Sequence, residues 1–282
     1  MPKVAIITDS TAYIPDDLVY KYNIQVAPQI LIWGDEMFAD GVDILPSQFY
    51  ERLKTAKVMP STSQVTPATF HAMFQKLLDQ DYQILAVLIS EGLSGTIASA
   101  IQARDMFPGS PIEIVDSRTS AMALGYPVLT VAQAAAHGAG LAECKDLAEK
   151  ACQHTGVVFA VDTLEFLHRG GRIGGAQRFL GTALNIKPIL ELVDGKVEGI
   201  ERVRTRKKSM ARLVELIEDR IGGRTPVRLA SLHANAREEA GELLEIANQR
   251  LHPIESIFAE VSPVIGTHTG PGTVGLAFMA GL

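Results

Sequence analysis

Short continuous apolar runs alternate with longer stretches of helical spacing through the first half of the chain. Val4–Thr8, Ile84–Ile89 and Ile112–Val115 are apolar runs of the length and character of buried strands. Between them, Pro15-Asp16-Asp17 opens a helix, with proline in the first turn and acids near the N-terminus. Ile24–Trp33 reads as a strand closed by a turn at Gly34-Asp35. Ser47–Ala56 and Pro67–Leu78 carry helical spacing, Ser94–Phe107 predicts a further helix, and Ser120–Ala136 a long one. Strands alternating with helices of this length imply a mainly parallel sheet with helices on its faces.

Near Gly156 the pattern changes. Val157–Val161 is apolar and β-branched, and Leu164–His168 is a short helix candidate that stops at Gly170-Gly171. Ile189–Val193 and Lys196–Val203 flank Asp194-Gly195, a strong two-residue hairpin signal. Lys208–Ile221 and Glu238–Leu251 are helices, and Val227–Leu232, Ile254–Glu260 and Val264–Thr267 read as strands. A hairpin among these elements predicts a mixed sheet. The expectation is an α/β protein of two α/β domains, residues 1–156 and 157–282, the first mainly parallel and the second mixed.

Composition narrows the class. The chain has 282 residues, 47% hydrophobic and 21% charged, an ordinary globular balance with enough apolar residues for a large core. A net charge of −6 argues against a nucleic-acid partner. The only two cysteines, Cys144 and Cys152, lie eight residues apart in a helical segment. At a rise of ~1.5 Å per residue they sit too far apart for a disulfide. The N-terminus, Met1-Pro2-Lys3-Val4-Ala5-Ile6-Ile7, does not read as a signal peptide, because its apolar run is short and ends at Thr8-Asp9-Ser10. Ser120–Gly140 is Ala-rich and interrupted by Gly125, Pro127, Gln133 and His137, which favours a buried helix over a membrane span. The expected setting is the cytoplasm.

Candidate chemistry gathers in four places. Pro60-Ser61-Thr62-Ser63-Gln64-Val65-Thr66-Pro67 is a hydroxyl-rich stretch that reads equally as a polar loop ending in a Thr66 helix cap or as a set of donors for an anion. Ser90-Glu91-Gly92-Leu93-Ser94-Gly95-Thr96 follows a buried strand and opens a helix, with Ser94 expected at the N-cap. First-turn amides at such a position are ready anion donors. Gly92-Leu93-Ser94-Gly95-Thr96 also brushes against the G-x-S-x-G nucleophile elbow but ends in threonine, so a serine acyl hydrolase using Ser94 and His268 is the alternative reading. Gly266–Gly275 surrounds His268 with glycines without forming a Walker A or dinucleotide loop. Basic residues cluster at Arg169-Gly170-Gly171-Arg172 and Arg202–Lys208, the latter at a helix N-terminus where the macrodipole disfavours cations. No metal-ligand spacing is present, and no cofactor is expected.

Seven motifs taken in order resemble the DegV family: Thr8-Asp9-Ser10-Thr11-Ala12, Pro60-Ser61-Thr62-Ser63-Gln64, Leu93-Ser94-Gly95-Thr96 with Ser99-Ala100, Val115-Asp116-Ser117, Gly170-Gly171-Arg172-Ile173, Lys187-Pro188-Ile189-Leu190, and His268–Gly275. The family's loop usually reads T-S-Q-P, and Val65 stands here in place of that proline. The resemblance implies a protein that holds a long-chain fatty acid between its two domains. It further implies that a separate ATP-dependent kinase phosphorylates the carboxylate, giving an acyl phosphate for phospholipid synthesis. The chain itself would then perform no catalysis and make no stable membrane insertion. By motif, Thr62 and Ser94 would hold the carboxylate with His268 close by, while Arg172 and one or more of Arg202, Arg204 and Arg206 would face the kinase. The residues suit that role. A buried carboxylate needs donors, which Thr62, Ser94, His268 and the Gly95 and Thr96 amides could supply. Burying roughly fourteen methylenes would contribute ~11 kcal/mol before association costs, so affinity should reside in the tail.

Overall fold

The computed structural model describes residues 3–181 and 186–282, so Met1 and Pro2 of the N-terminal reading lie outside it. In chain order the elements are β1 (Val4–Asp9), α1 (Asp16–Lys21), β2 (Gln25–Ala27), β3 (Ile30–Trp33), β4 (Glu36–Ala39), α2 (Pro46–Lys54), β5 (Ser61–Ser63), α3 (Pro67–Leu78), β6 (Gln83–Leu88), α4 (Thr96–Arg104), β7 (Ile112–Asp116), α5 (Ala121–Ala136) and α6 (Leu141–Gln153). There follow β8 (Thr155–Ala160), α7 (Glu165–Arg169), β9 (Lys187–Val193), β10 (Lys196–Val203), α8 (Arg206–Ile221), β11 (Val227–His233), α9 (Arg237–Leu251), β12 (Glu255–Glu260), α10 (Pro263–Thr269) and β13 (Val274–Ala280).

Two large sheets organise the molecule. The first has the order β2-β1-β6-β7 and is parallel throughout. The second has the order β10-β9-β8-β13-β11-β12 and is antiparallel except for the β11–β12 pair. A small antiparallel sheet, β4-β3-β5, is attached to the first half. The β9–β10 hairpin turns at Asp194 and Gly195, both at positive φ (49° and 78°), the geometry a tight two-residue turn requires. The boundary expected at residue 156 falls among the first residues of β8.

Apolar packing arranges these sheets in layers. One face of the parallel sheet packs on α3 and α4 through Phe70, Phe74, Ile97 and Ala100. One face of the mixed sheet packs on α8 and α9 through Leu213, Ile217, Leu243 and Ala247. Between the sheets lies the largest cluster, built on α5 and α6 with Leu85 and Val87 from one sheet and Val157, Leu232 and Met279 from the other. This explains the Ala-rich composition of α5: with a sheet on each side, small residues let both approach. Cys144 and Cys152 both lie on α6 as free thiols.

Four local expectations are corrected. Ile24–Trp33 is two strands in two different sheets, separated at Pro28, which has no N–H for a ladder. Ser61–Ser63, read as loop, is β5 and pairs with β3. The helix after Ser94 is shorter than expected, begins at Thr96 and has Gly95 at its N-cap, so Ser94 stands one residue before the cap. Val264–Thr267 is part of a helix, not a strand. Ser262 Oγ accepts from Ile265 N–H and Pro263 occupies the first turn, start signals that outweigh the β-branched pair Val264-Ile265. Val65, in place of a loop proline, is fully buried in the α3–α4 cluster.

Candidate functional site

The β5 and β6 loops of the first half face α10 and the mixed sheet of the second half across a cavity. Its space between atoms, open mouth included, is about 880 Å³. The first half contributes Thr11, Gln29, Thr62, Ile89, Leu93 and Ser94. The second contributes Val157 and Phe159 from β8, Leu192, Val197, Leu232, Gly275 and the α10 residues Val264, Ile265, His268 and Thr269. Apolar side chains make up much of the lining, and Thr62, Arg172 and His268 lie at the end that the cavity shares with a second hollow.

At that end Thr62 Oγ1 lies 2.8 Å from His268 Nε2. Strand β5 positions Thr62 opposite Leu31 of β3, and the last turn of α10 positions His268. Burial, helped by the nearby Arg172 charge, lowers the His268 pKa to about 4, so its imidazole is neutral at physiological pH. His268 Nδ1 is buried and has no hydrogen-bond partner among the described residues. The positive charge at this end belongs to Arg172, which also lines the cavity. Arg172 donates from Nε to Leu93 C=O (3.0 Å) and from Nη1 to Gly170 C=O (2.8 Å), joining the Ser94 loop to the end of α7. Outside this pair lies a second hollow, lined by Leu53, Met59, Ser61, Phe166 and Arg169 and sharing Thr62, Arg172 and His268.

The other expected site residues are placed as follows. Ser94 lines the cavity, with its Oγ 2.9 Å from Thr96 Oγ1. Gly95 and Thr96 stand behind the wall. A Cβ at Gly95 would meet the Gln64 side chain at 2.7 Å, and the Thr96 hydroxyl accepts from Gln29 Nε2 at 2.9 Å. Arg202 stacks over the Phe179 ring at 5.4 Å, and Arg204 is exposed. Arg206 is tied to Gly272 C=O and lies 3.7 Å from Asp162. The Ser94–His268 pairing that a hydrolase would need is not formed: the histidine is bonded to Thr62 and the serine to Thr96. Among the described residues no group of His, Cys, Asp and Glu is arranged to hold a metal, and no helix is long and apolar enough to cross a membrane.

A buried carboxylate network behind the cavity was not assigned a role from sequence. Asp9, fully buried, accepts from Thr11 N–H (3.0 Å), Thr11 Oγ1 (2.6 Å) and Gln29 Nε2 (3.3 Å) through Oδ1, and from Ile89 N–H (2.7 Å) through Oδ2. It thereby fixes two cavity-lining side chains and the ends of β1 and β6. Asp40 accepts from Ser10 Oγ (2.6 Å) and Val264 N–H (3.4 Å), tying the start of α10 to the first half and so orienting His268. Burial raises both carboxyl pKa values, that of Asp40 to about 7. The Thr8–Ala12 motif was the only sequence signal for this network, and it named no partners.

The comparisons with known proteins agree with this architecture. A family model described as an uncharacterised protein of the DegV family matches residues 3–281. A DegV domain-containing protein of Streptomyces coelicolor is 37% identical over 275 residues, 97% of each chain. A DegV family protein from Thermus thermophilus, whose structure is described for its fatty acid binding, superposes with a TM-score of 0.93 at 33% identity over 99% of each chain. DegV of Bacillus subtilis, described as a fatty acid binding protein, gives a TM-score of 0.89 at 32% identity, over 99% of this chain and all of that one.

Proposed function

The chain belongs to the DegV family, and from that premise we propose that it binds a long-chain fatty acid and presents the carboxylate to a separate ATP-dependent kinase. The observation that carries the reading is one cavity with apolar walls from both halves and a polar end built by Thr62, His268 and Arg172. The acyl chain occupies the apolar interior, where affinity comes from buried methylenes. The carboxylate meets Thr62, the neutral imidazole of His268 and Ser94, with the Arg172 guanidinium as its counter-charge. Residues 1–156 and 157–282 act as two domains that each supply one wall.

The kinase approaches the polar end, where the outer hollow leads to Thr62 and His268. Arg172 faces it from the mouth, and Arg202 and Arg204 lie on the exposed surface. Arg206, held by Gly272 and Asp162, is the least suited of the run to docking. The product is an acyl phosphate for phospholipid synthesis, formed in the cytoplasm with no catalysis by this chain alone. The test is to denature the purified protein, extract it with organic solvent and identify the released molecules by mass spectrometry. A near-stoichiometric long-chain fatty acid is expected. Ligand-free protein that also fails to take up added fatty acid would contradict the carrier reading.

A further inference from the structure

Ser120 precedes α5, a helix of 16 residues, and occupies its N-cap in extended conformation (φ −157°, ψ 180°). A serine there ordinarily accepts a hydrogen bond from a first-turn N–H. Elsewhere in this chain that happens: Thr66, Thr205 and Ser262 accept from Thr69, Lys208 and Ile265 N–H respectively. Ser120 Oγ makes no cap bond and has no other partner among the described residues, although the residue is only 5% exposed. Ser120 also lines the ligand cavity.

The other buried hydroxyls on the cavity wall are spent on protein. Thr11 Oγ1 donates to Asp9, Thr269 Oγ1 to Ile265 C=O, and Thr273 Oγ1 to Gly270 and Thr269 C=O. Ser120 is different: a buried donor and acceptor with its capacity unused, at the positive end of a long helix and beside an apolar chamber. A saturated hydrocarbon tail offers it nothing. A hydroxyl substituent on the tail satisfies it, because such a group accepts from the serine O–H or from a helix amide and donates in return.

We propose that Ser120 and the N-terminus of α5 form a second polar subsite in the cavity, which recognises the hydroxyl of a hydroxylated long-chain fatty acid. The proposal rests on the fatty-acid reading and adds the class of acid. The carboxylate is held at the Thr62–His268 end and the hydroxyl at Ser120, so two polar anchors fix the chain's register. Only isomers whose hydroxyl reaches Ser120 gain.

The test is competition binding of stearic acid and a positional series of monohydroxystearic acids to the wild-type protein, Ser120→Ala and Ser120→Thr. At least one isomer should bind wild type fivefold or more tightly than stearate. That ratio should fall to one or below in Ser120→Ala and persist in Ser120→Thr, which retains the hydroxyl and controls for loss of folding. If every isomer binds wild type no better than stearate, or the preference survives in Ser120→Ala, the subsite is refuted while the carrier reading stands. If folded wild type binds neither stearate nor any isomer, the carrier reading fails and the subsite with it.

Discussion

The two halves of the molecule bury different titratable groups. The first half buries carboxyls, Asp9 and Asp40, and desolvation raises their pKa values. The second buries imidazoles, His233 and His268, and desolvation lowers theirs, both to about 4. One physical cause therefore drives both halves toward their uncharged forms, by holding a proton in one and refusing it in the other. The contrast teaches that burial acts on both halves in the same sense, disfavouring charge, while Arg172 brings a formal charge to the cavity lining. It also makes the two halves respond to pH in opposite directions.

The largest expected effect comes from removing Asp40. In the unfolded chain this carboxyl ionises near its ordinary value of 3.8, whereas in the fold it holds its proton to about 7. Between those values the folded state binds more protons, so the Asp40 contribution to stability is complete below the lower value and is lost as pH rises through the upper one. The wild type should therefore lose on the order of 4 kcal/mol relative to Asp40→Asn as pH rises from about 4 to about 7. Denaturant unfolding of both proteins across that range measures it. Parallel stability profiles would mean that Asp40 is ionised in the fold and that the two halves do not differ as described.

Replacing His233 probes the other half and should show the reverse slope. His233 ends β11, is 1% exposed, and has no hydrogen-bond partner on either ring nitrogen among the described residues. Its neighbour is the Phe258 ring, at 5.1 Å between centroids. The unfolded imidazole takes a proton near 6.5 and the folded one only near 4. Its contribution to stability is present above the upper value and lost as pH falls through the lower one. Relative to His233→Phe, the wild type should lose on the order of 3 kcal/mol on acidification from about 6.5 to about 4. A phenylalanine variant that follows the wild-type acid profile would show that this histidine takes its proton in the fold near 6.5, as it does in the unfolded chain.

At the polar end of the cavity the effects are smaller and fall on ligand affinity. Thr62→Val keeps the shape and strand preference of the β5 residue but removes the hydroxyl bonded to His268 Nε2. Fatty acid affinity should fall roughly tenfold, about 1.4 kcal/mol, the scale of one hydrogen bond to a charged oxygen left unmade. Titration with a fluorescent fatty acid analogue reads this directly. Unchanged affinity would move the carboxylate away from Thr62 and leave Arg172 and Ser94 to hold it.

Much of this arrangement was legible in the sequence because it depends on local pattern. The apolar runs at β1, β6 and β7 and the Asp194-Gly195 turn needed no tertiary information, and the Thr66-Pro67 cap decided the start of α3. Thr62, Ser94 and His268, expected at the carboxylate, and Arg172, expected to face a kinase, all line one cavity. What stayed hidden depends on distant partners. Asp40 meets Ser10 across 30 residues and Val264 across 224, and Asp9 meets Ile89 across 80. No spacing rule links such positions, and a buried aspartate looks in sequence like any other. The segment from Val264 to Thr267 differs for a related reason: β propensity favours a strand there, and the Ser262-Pro263 start signal makes it a helix.

The smallest effect tests where neutrality ends and the charged exterior begins, within a single basic run. Arg206 and Arg204 are two residues apart, yet Arg206 is bonded to Gly272 C=O beside Asp162, while Arg204 is exposed. Gly272 belongs to the turn that joins α10 to β13, so Arg206 helps hold the helix that carries His268. Arg206→Ala should then cost ~1 kcal/mol of stability by leaving that carbonyl without its charged donor. Arg204→Ala should stay within about 0.5 kcal/mol of wild type, as exposed substitutions do. If Arg204 contributes to kinase docking, its alanine variant should retain fatty acid affinity and show slower acyl phosphate formation when the kinase is limiting. The rate should recover as kinase concentration is raised, because a lost docking contact weakens the encounter and leaves the chemistry intact. Equal kinase rates for Arg204→Ala and wild type at limiting kinase would remove Arg204 from the docking surface and leave Arg172 and Arg202 as its basic residues.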